Sequence, residues 1–419
     1  MAVHIRLWKM LLIVWLIPMT LSGGSCKGDA PLVKRIDASL KRAGRFLVKQ
    51  QSPDGAWRSK TYGCFKDGPS LTPQVLSALF FLPQTGKAAK VSYRKGASYL
   101  VEMIGSDGRV KDGPHGLMFP ALTASSASRV VVLHEQTTAT RRAQAAWLKY
   151  LCARRLSRAL GWQGSDPEFG GWGFALAVPR KPASGRPKEI FFESNMVATI
   201  FALGAVRSAK VALKDPMYGE ILTFVERCQN FADDPQQADV RFDDGGFFFI
   251  PGDAAQNKAG IAGTDAKGRE RYHSYGTMTA DGLRALIRCG LPRNHPRVIA
   301  AKKWLEMNFS VKNQPGTFAP DREVLRGATY YYWCWAIGHA FVGVEEREIE
   351  TKNGRVAWAE ALAEELLQRQ QPNGSWQNKF TDAKEDDPLV ATSFAAAALA
   401  LCRQSITGED KRLAPKPAF

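Results

Sequence analysis

Residues 42–57 read RAGRFLVKQQSPDGAW, and Arg42, Ala43, Phe46, Leu47, Gln51, Gly55 and Trp57 stand in it at the spacing of a structural repeat. That spacing describes the last turns of an amphipathic helix ending in a glutamine, a tight glycine turn, and an aromatic that packs back on the helix. A second copy keeps the register at Lys95, Gly96, Tyr99, Leu100, Gly108 and Val110, with Ile104 in place of the glutamine. A third closes as Gln370, Gly374 and Trp376. Looser copies pair Trp147 and Leu148 with Gly171 and Trp172, then Phe224, Val225 and Gln229 with Gly246 and Phe247, then Trp304 and Leu305 with Gly316 and Phe318. A chain that repeats itself on this scale stacks supersecondary units that bury one another's apolar faces.

With 419 residues and 45% hydrophobic composition the chain can bury a large core, and stacked repeats remove the usual pressure to divide it. Helical periodicity is read twelve times, in two alternating classes. Residues 32–50, 91–104, 141–160, 215–229, 296–308 and 355–370 are amphipathic and basic, and face water on one side. Residues 70–82, 123–134, 193–209, 275–290, 330–342 and 387–402 are rich in Ala, Leu, Ser and Thr with few charges, and belong inside. The alternation predicts an all-α protein, an α6/α6 toroid of six inner and six outer helices over residues 32–405, followed by a C-terminal tail at 406–419. Outer-to-inner connections run from roughly 16 to 45 residues, against about six for most inner-to-outer ones. Long loops therefore gather on one rim, which also carries the N-termini of the inner helices, where free backbone amides favour anionic groups. A site is expected there.

The first stretch has a basic start with Arg6 and Lys9, an apolar run over residues 10–17, Pro18, and then the small residues Ser22, Gly23, Gly24 and Ser25. It reads as a signal peptide over residues 1–25, and hence as an exported, periplasmic or secreted protein. Lipid anchoring at Cys26 is the rival, weakened by Gly23 where a leucine is usual. The apolar run falls far short of the roughly 20 residues of a spanning helix. Seven cysteines lie far apart with no Cys-x-x-Cys pair, which argues against zinc and redox motifs. The net charge of +17 favours peripheral contact with anionic surfaces. Its densest cluster, Arg141, Arg142, Lys149, Arg154, Arg155 and Arg158, is read as the solvated face of one helix, and no nucleic-acid motif accompanies it.

Two loops stand out. Residues 161–192 hold Trp162, Phe169, Trp172 and Phe174 with Arg180, Lys181, Arg186 and Lys188, and residues 230–274 hold Asp233, Asp234, Asp239, Asp243 and Asp244 before Phe247, Phe248 and Phe249. The acids lack the regular spacing of a calcium loop and read as solvated loop carboxylates, so no metal and no cofactor is expected.

The repeat at 42–57 resembles the tryptophan-glutamine repeat of squalene-hopene cyclases, and the whole ring is similar to the single toroid of protein prenyltransferase β subunits. The resemblance implies an apolar central cavity for an isoprenoid or other lipid. It does not carry over the chemistry. The cyclase acid motif, Asp-x-Asp-Asp-Thr-Ala at the head of an inner helix, is met by Glu193, Ser194, Asn195, Met196 and Val197, with Ser194 and Asn195 at the acid positions. Asp386 and Asp387 precede Pro388 and Leu389 and read as helix caps. Tyr272 and His273 resemble the Tyr-His pair of the prenyltransferase zinc site, whose Asp-x-Cys partner is missing, so His273 reads as a loop residue or a contact for a ligand headgroup. Cys334 and His339 fall about 140° apart on one helix and cannot share a metal. Tyr330, Tyr331, Tyr332, Trp333 and Trp335 open that helix, as core packing or as a cavity lining. A Tyr/His/Arg set of polysaccharide-lyase kind is conceivable from Arg271, Tyr272, His273 and Tyr275.

Two readings follow. In the first, a non-cyclising exported toroid binds an apolar, isoprenoid-like ligand or an exported partner protein through its long-loop rim, with Tyr272, His273, Tyr275, Tyr332, Trp333 and Trp335 as ligand contacts. In the second, it is an enzyme acting on terpenoids or glycans that uses Glu193, Asp281 or Asp387 with His273. A buried acid beside aromatic walls would favour the second.

Overall fold

The computed structural model describes residues 29–82, 87–111, 117–183 and 191–408. The expected signal peptide and Cys26 lie outside these residues. In chain order the helices are α1 (Asp29–Lys49), α2 (Thr72–Phe81), α3 (Lys87–Glu102), α4 (Pro120–Val130), α5 (Thr138–Cys152), α6 (Met196–Ser208), α7 (Met217–Arg227), α8 (Gly276–Arg288), α9 (Pro296–Met307), α10 (Tyr330–Val344), α11 (Trp358–Arg369) and α12 (Pro388–Thr407). Each answers one of the twelve expected segments. The even-numbered helices pack in succession, and α12 returns onto α2, so the inner ring closes. The odd-numbered helices surround it, with α1 touching both α3 and α11. Helix α12 is long and apolar enough to cross a membrane, but 72% of its apolar window is buried as an inner wall.

The repeat motif holds the rings together through a recurrent set of bonds. Trp57, Trp172 and Trp376 are fully buried, and each indole N–H donates to a carbonyl near the end of the preceding outer helix, Leu47 at 2.7 Å, Leu151 at 2.9 Å and Leu366 at 2.8 Å. The aromatic's own backbone N–H donates to a threonine on the following inner helix, from Trp57 to Thr72 (2.9 Å), Trp172 to Thr199 (3.1 Å), Phe247 to Thr279 (3.0 Å) and Trp376 to Thr392 (3.0 Å). The glutamine amide bridges its glycine turn to the next outer helix. Gln51 Nε2 donates to the carbonyls of Gly55 and Ser92, both at 2.8 Å. Gln370 does the same to Gly374 and Ser39, both at 3.0 Å, which ties the last repeat to the first.

The turn glycines are required. Gly55 (φ +94°) and Gly374 (φ +92°) adopt the left-handed region, and a Cβ there would stand 2.5 Å from the Lys95 carbonyl oxygen and 2.6 Å from that of Arg42. The equivalent residue of the middle repeat is Gly170 (φ +103°), not Gly171, and Gly245 (φ +85°) rather than Gly246. Both pairs are consecutive glycines, so spacing alone does not choose between them. Gly171 instead lies against Ser194 and Thr199, where a Cβ would come within 2.8 Å of both.

Three local features depart from the expectation. The fifth helix stops at Cys152 rather than residue 160, so the basic cluster does not share one helix. Arg155 pairs with Glu220 at 2.5 Å and Arg154 lies over the Tyr150 ring, which takes these charges out of a continuous solvated face. Two antiparallel hairpins occur, β1 (Ile261–Thr264) with β2 (Glu270–Tyr272) and β3 (Glu348–Thr351) with β4 (Gly354–Ala357). The second occupies the link from α10 to α11, whose Asn353-Gly354 turn is a hairpin signal that the helical reading from 355 overrode.

Candidate functional site

The rim that carries the inner N-termini is largely self-satisfied. Asn195 caps α6 by accepting from the Ala198 N–H at 2.9 Å. The buried Gln314 accepts from the Thr277 N–H at 3.1 Å in the first turn of α8. Glu385, fully enclosed, accepts from the Tyr331 and Tyr332 N–H groups at 2.9 and 2.8 Å at the head of α10, and burial pushes its carboxyl up to about 7. Asp387 accepts from the Leu389 N–H at 2.8 Å and from the Ser59 hydroxyl, so it is the cap of α12. The amides expected to await an anion at these four helices already have partners.

Below this rim, α8 and α10 turn polar and aromatic side chains toward the centre. Asp281 on α8 has no exposed surface. Its Oδ1 accepts from Arg284 Nη1 at 2.8 Å and its Oδ2 from the Tyr332 hydroxyl of α10. Burial pushes the Asp281 carboxyl up to about 6, partly opposed by Arg284, Tyr332 and Arg288. Trp335 stacks between Tyr332 (centroids 5.5 Å apart) and Phe201 of α6 (5.4 Å), with Phe394 of α12 at 5.7 Å and the His339 imidazole edge-on at 4.7 Å. The Arg284 guanidinium lies 4.6 Å from the Trp335 ring centroid. Phe201, Phe394, His339, Arg129 and Arg288 lie on the inner helices yet retain accessible surface. These residues face an interior space rather than solid core.

The interior charge is one-sided. Burial, followed by the charge of Arg284, brings Arg129 of α4 down to about 10, and burial with the charges of Arg284 and Arg129 holds Arg288 well below its usual value. Burial, followed by the same three guanidiniums, depresses the His339 imidazole and leaves it neutral. Above the interior, Phe119, Phe174 and Phe249 from three different long loops form an aromatic cluster at the rim, with centroids 5.6 and 6.4 Å apart.

Among solved structures, cellobiose 2-epimerase from Spirochaeta thermophila DSM 6192 superposes with a TM-score of 0.57 at 10% identity, covering 91% of this chain and 99% of that one. The apo form of the type II terpene cyclase MstE from Scytonema superposes with a TM-score of 0.51 at 12% identity, covering 88% of this chain and 99% of that one. The fold is that of the α/α toroids. No protein-family model and no curated protein matches the sequence. At such identities the likeness is one of fold.

The toroid brings together some of the expected site residues and separates others. Asp281, Tyr332 and Trp335 meet in the interior. Trp333, which lies between the last two in the chain, points outward, donates to the Ser310 carbonyl at 3.0 Å and fills space against Gly276. Tyr275 is buried against Phe318 at the head of α8, and Tyr272 packs on Phe248. His273 lies half-buried beside Asp244 in the β2 region, where burial lowers its pKa, so it is not the partner of Asp281, Asp387 or Glu193. Glu193 sits half-buried on the segment leading into α6. The acids of the 230–274 loop are tied locally, Asp243 to Arg271 at 2.5 Å and Asp233 to Arg297 at 2.7 Å. Among the described residues no three His, Cys, Asp or Glu side chains gather as metal ligands. What the sequence reading missed was the arginines. Asp281, Arg284 and Arg288 stand at i, i+3 and i+7 on one face of a helix classed as inner, and a charged face there can only point into the ring.

Proposed function

We propose that this toroid binds an apolar, isoprenoid-like ligand in its interior, entered past the phenylalanines of the long-loop rim. The observation that carries this reading is the stack of Phe201, Trp335 and Tyr332 with Phe394, four aromatic rings from α6, α10 and α12 that turn toward the interior space. Rings so placed supply a wide apolar surface at little conformational cost. The proposal keeps export, and it keeps the long-loop rim as a contact surface for an exported partner or an anionic surface, which the net charge of +17 would attract. Native mass spectrometry with lipid extraction of the purified protein tests the interior reading, together with tryptophan fluorescence titrated with farnesol. A co-purifying lipid, or saturable quenching lost in Trp335→Ala, is expected. Protein that is empty and unresponsive to farnesol would overturn it.

Catalysis is the second reading, favoured by one observation, the elevated Asp281 carboxyl beside aromatic walls. A neighbour named as a terpene cyclase points to proton donation to an alkene, and one named as cellobiose 2-epimerase points to a sugar. Against both, the two oxygens of Asp281 are already engaged by Arg284 and Tyr332, which ties the acid in place. Conversion of an isoprenoid or of cellobiose by the protein, abolished in Asp281→Asn, would favour the enzyme over the binding protein.

A further inference from the structure

We propose that the lower interior of the toroid is an oxyanion site, where Arg129, Arg284 and Arg288 hold a carboxylate, sulfate or phosphate group. It rests on the interior-binding reading above and supplies the polar end of the ligand.

Two of the guanidiniums converge, and the third stands beside them. The position that a Cβ on Gly204 would take lies 3.3 Å from Arg288 Nη1 and 3.5 Å from Arg129 Nη1, so both side chains turn to the same patch of α6, which glycine leaves open. Arg284 stands one turn above Arg288 on the same face of α8. Asp281 is bonded to Arg284 and its charge reaches Arg288, but it is shared with the Tyr332 hydroxyl. Arg288 Nη1 donates to the Ile200 carbonyl at 3.0 Å, and Arg284 Nε, with the side chain only 6% exposed, has no hydrogen-bond partner among the described residues. Several like charges in a low-dielectric interior repel one another and lose hydration, a cost that a bound anion offsets. Guanidinium suits an oxyanion because its planar fork donates two parallel hydrogen bonds.

A duller explanation is that arginine near a helix C-terminus complements the backbone dipole. Arg129 and Arg288 do lie in the last turns of α4 and α8. Arg207 occupies the same place on α6, and there the side chain reaches outward over the Tyr218 ring of α7. The dipole is thus served without turning inward, and it accounts neither for Arg284, a turn earlier, nor for the convergence on Gly204.

The full-length protein is titrated by calorimetry and by thermal melting with inorganic phosphate, dodecyl phosphate and 1-dodecanol. Both phosphates are expected to bind and to raise Tm. Arg129→Gln and Arg288→Gln are expected to weaken phosphate at least tenfold while raising the Tm of the ligand-free protein, because each relieves repulsion; a purely structural arginine would lower it. Arg142→Gln, on the exposed face of α5, leaves binding unchanged. If a glutamine variant does not fold, Arg288→Lys keeps the charge, loses the fork and is expected to weaken phosphate all the same. Tighter binding of dodecyl phosphate than of phosphate supports an amphiphile, and equal binding supports a free anion. No saturable phosphate binding, or binding within twofold of wild type in the Arg129→Gln/Arg288→Gln double variant, overturns the proposal. Dodecanol binding without phosphate binding sinks the oxyanion site and leaves the apolar reading standing; phosphate binding without dodecanol binding does the reverse.

Discussion

The two ends of the inner ring differ in how their charge is settled. At the N-terminal rim, Asn195, Gln314, Glu385 and Asp387 satisfy the backbone amides of four helices from within the chain. Toward the C-terminal end, Arg129, Arg284 and Arg288 turn inward, and the nearby Asp281 carboxylate is already shared between Arg284 and Tyr332. The rim is thus settled from within the chain, whereas the lower interior leaves its positive charge only partly answered. Substitutions at the two ends should therefore act with opposite sign.

The largest effect is expected where the rim turns are nailed to the helices. Trp57→Ala or Trp376→Ala should each cost roughly 3 to 5 kcal/mol, since each removes a fully buried indole and leaves a cavity, as chemical denaturation will read directly. Unchanged melting in both would break the rim half of the comparison. Next comes Glu385, whose carboxyl rises from an ordinary 4.5 to about 7 on burial. The folded state holds that proton more tightly than the unfolded one. The stabilising contribution is therefore full below about pH 4.5 and is lost as pH climbs through about 7, a difference of up to roughly 3 kcal/mol. Melting from pH 4.5 to 7.5 should fall in the wild type and flatten in Glu385→Gln; an equal slope in both removes Glu385 as the cause.

A smaller loss is expected at the cap of α12. Asp387→Ala should cost about 1 to 2 kcal/mol, with Asp387→Asn recovering most of it, because the amide oxygen still accepts from the Leu389 N–H. A loss of ligand binding without a loss of stability would instead move Asp387 from the rim to the site. The smallest effect belongs to the outside. Arg142→Gln, whose guanidinium donates only to the exposed carbonyls of Gly105 and Ser106, should change stability by less than about 0.5 kcal/mol.

The rings were legible because burial repeats. Every inner helix but α8 announces itself by a long run without charge, and every repeat glycine but Gly108 by the aromatic two residues on. Registers such as Gly170 against Gly171 were not, since two adjacent glycines satisfy the same spacing and only the approach of the Glu220 carbonyl selects one. Asp281, Tyr332 and Trp335 could be singled out by type, but their meeting depends on which faces of α8 and α10 turn inward. Trp333 shows how two steps along a helix, about 200° from Trp335, send an equal aromatic to the opposite side. The arginines escaped because a few charges in a mostly apolar helix were counted as background instead of being placed on a face. His273 misled for the converse reason, as a histidine matching half of a metal motif that the surrounding acids, Asp243 paired with Arg271 and Asp244 held by Ser274 and Trp304, never complete.

The return of α11 and α12 onto α1 and α2, stitched by the amide of Gln370 reaching Ser39, turns a strip of six units into a hoop. An open stack frays from its outermost member, and its melting spreads inward one unit at a time. A hoop has no outermost member, so this protein should come apart in one concerted event. Parting the whole of that seam would hand it two loose ends and let it unravel from both.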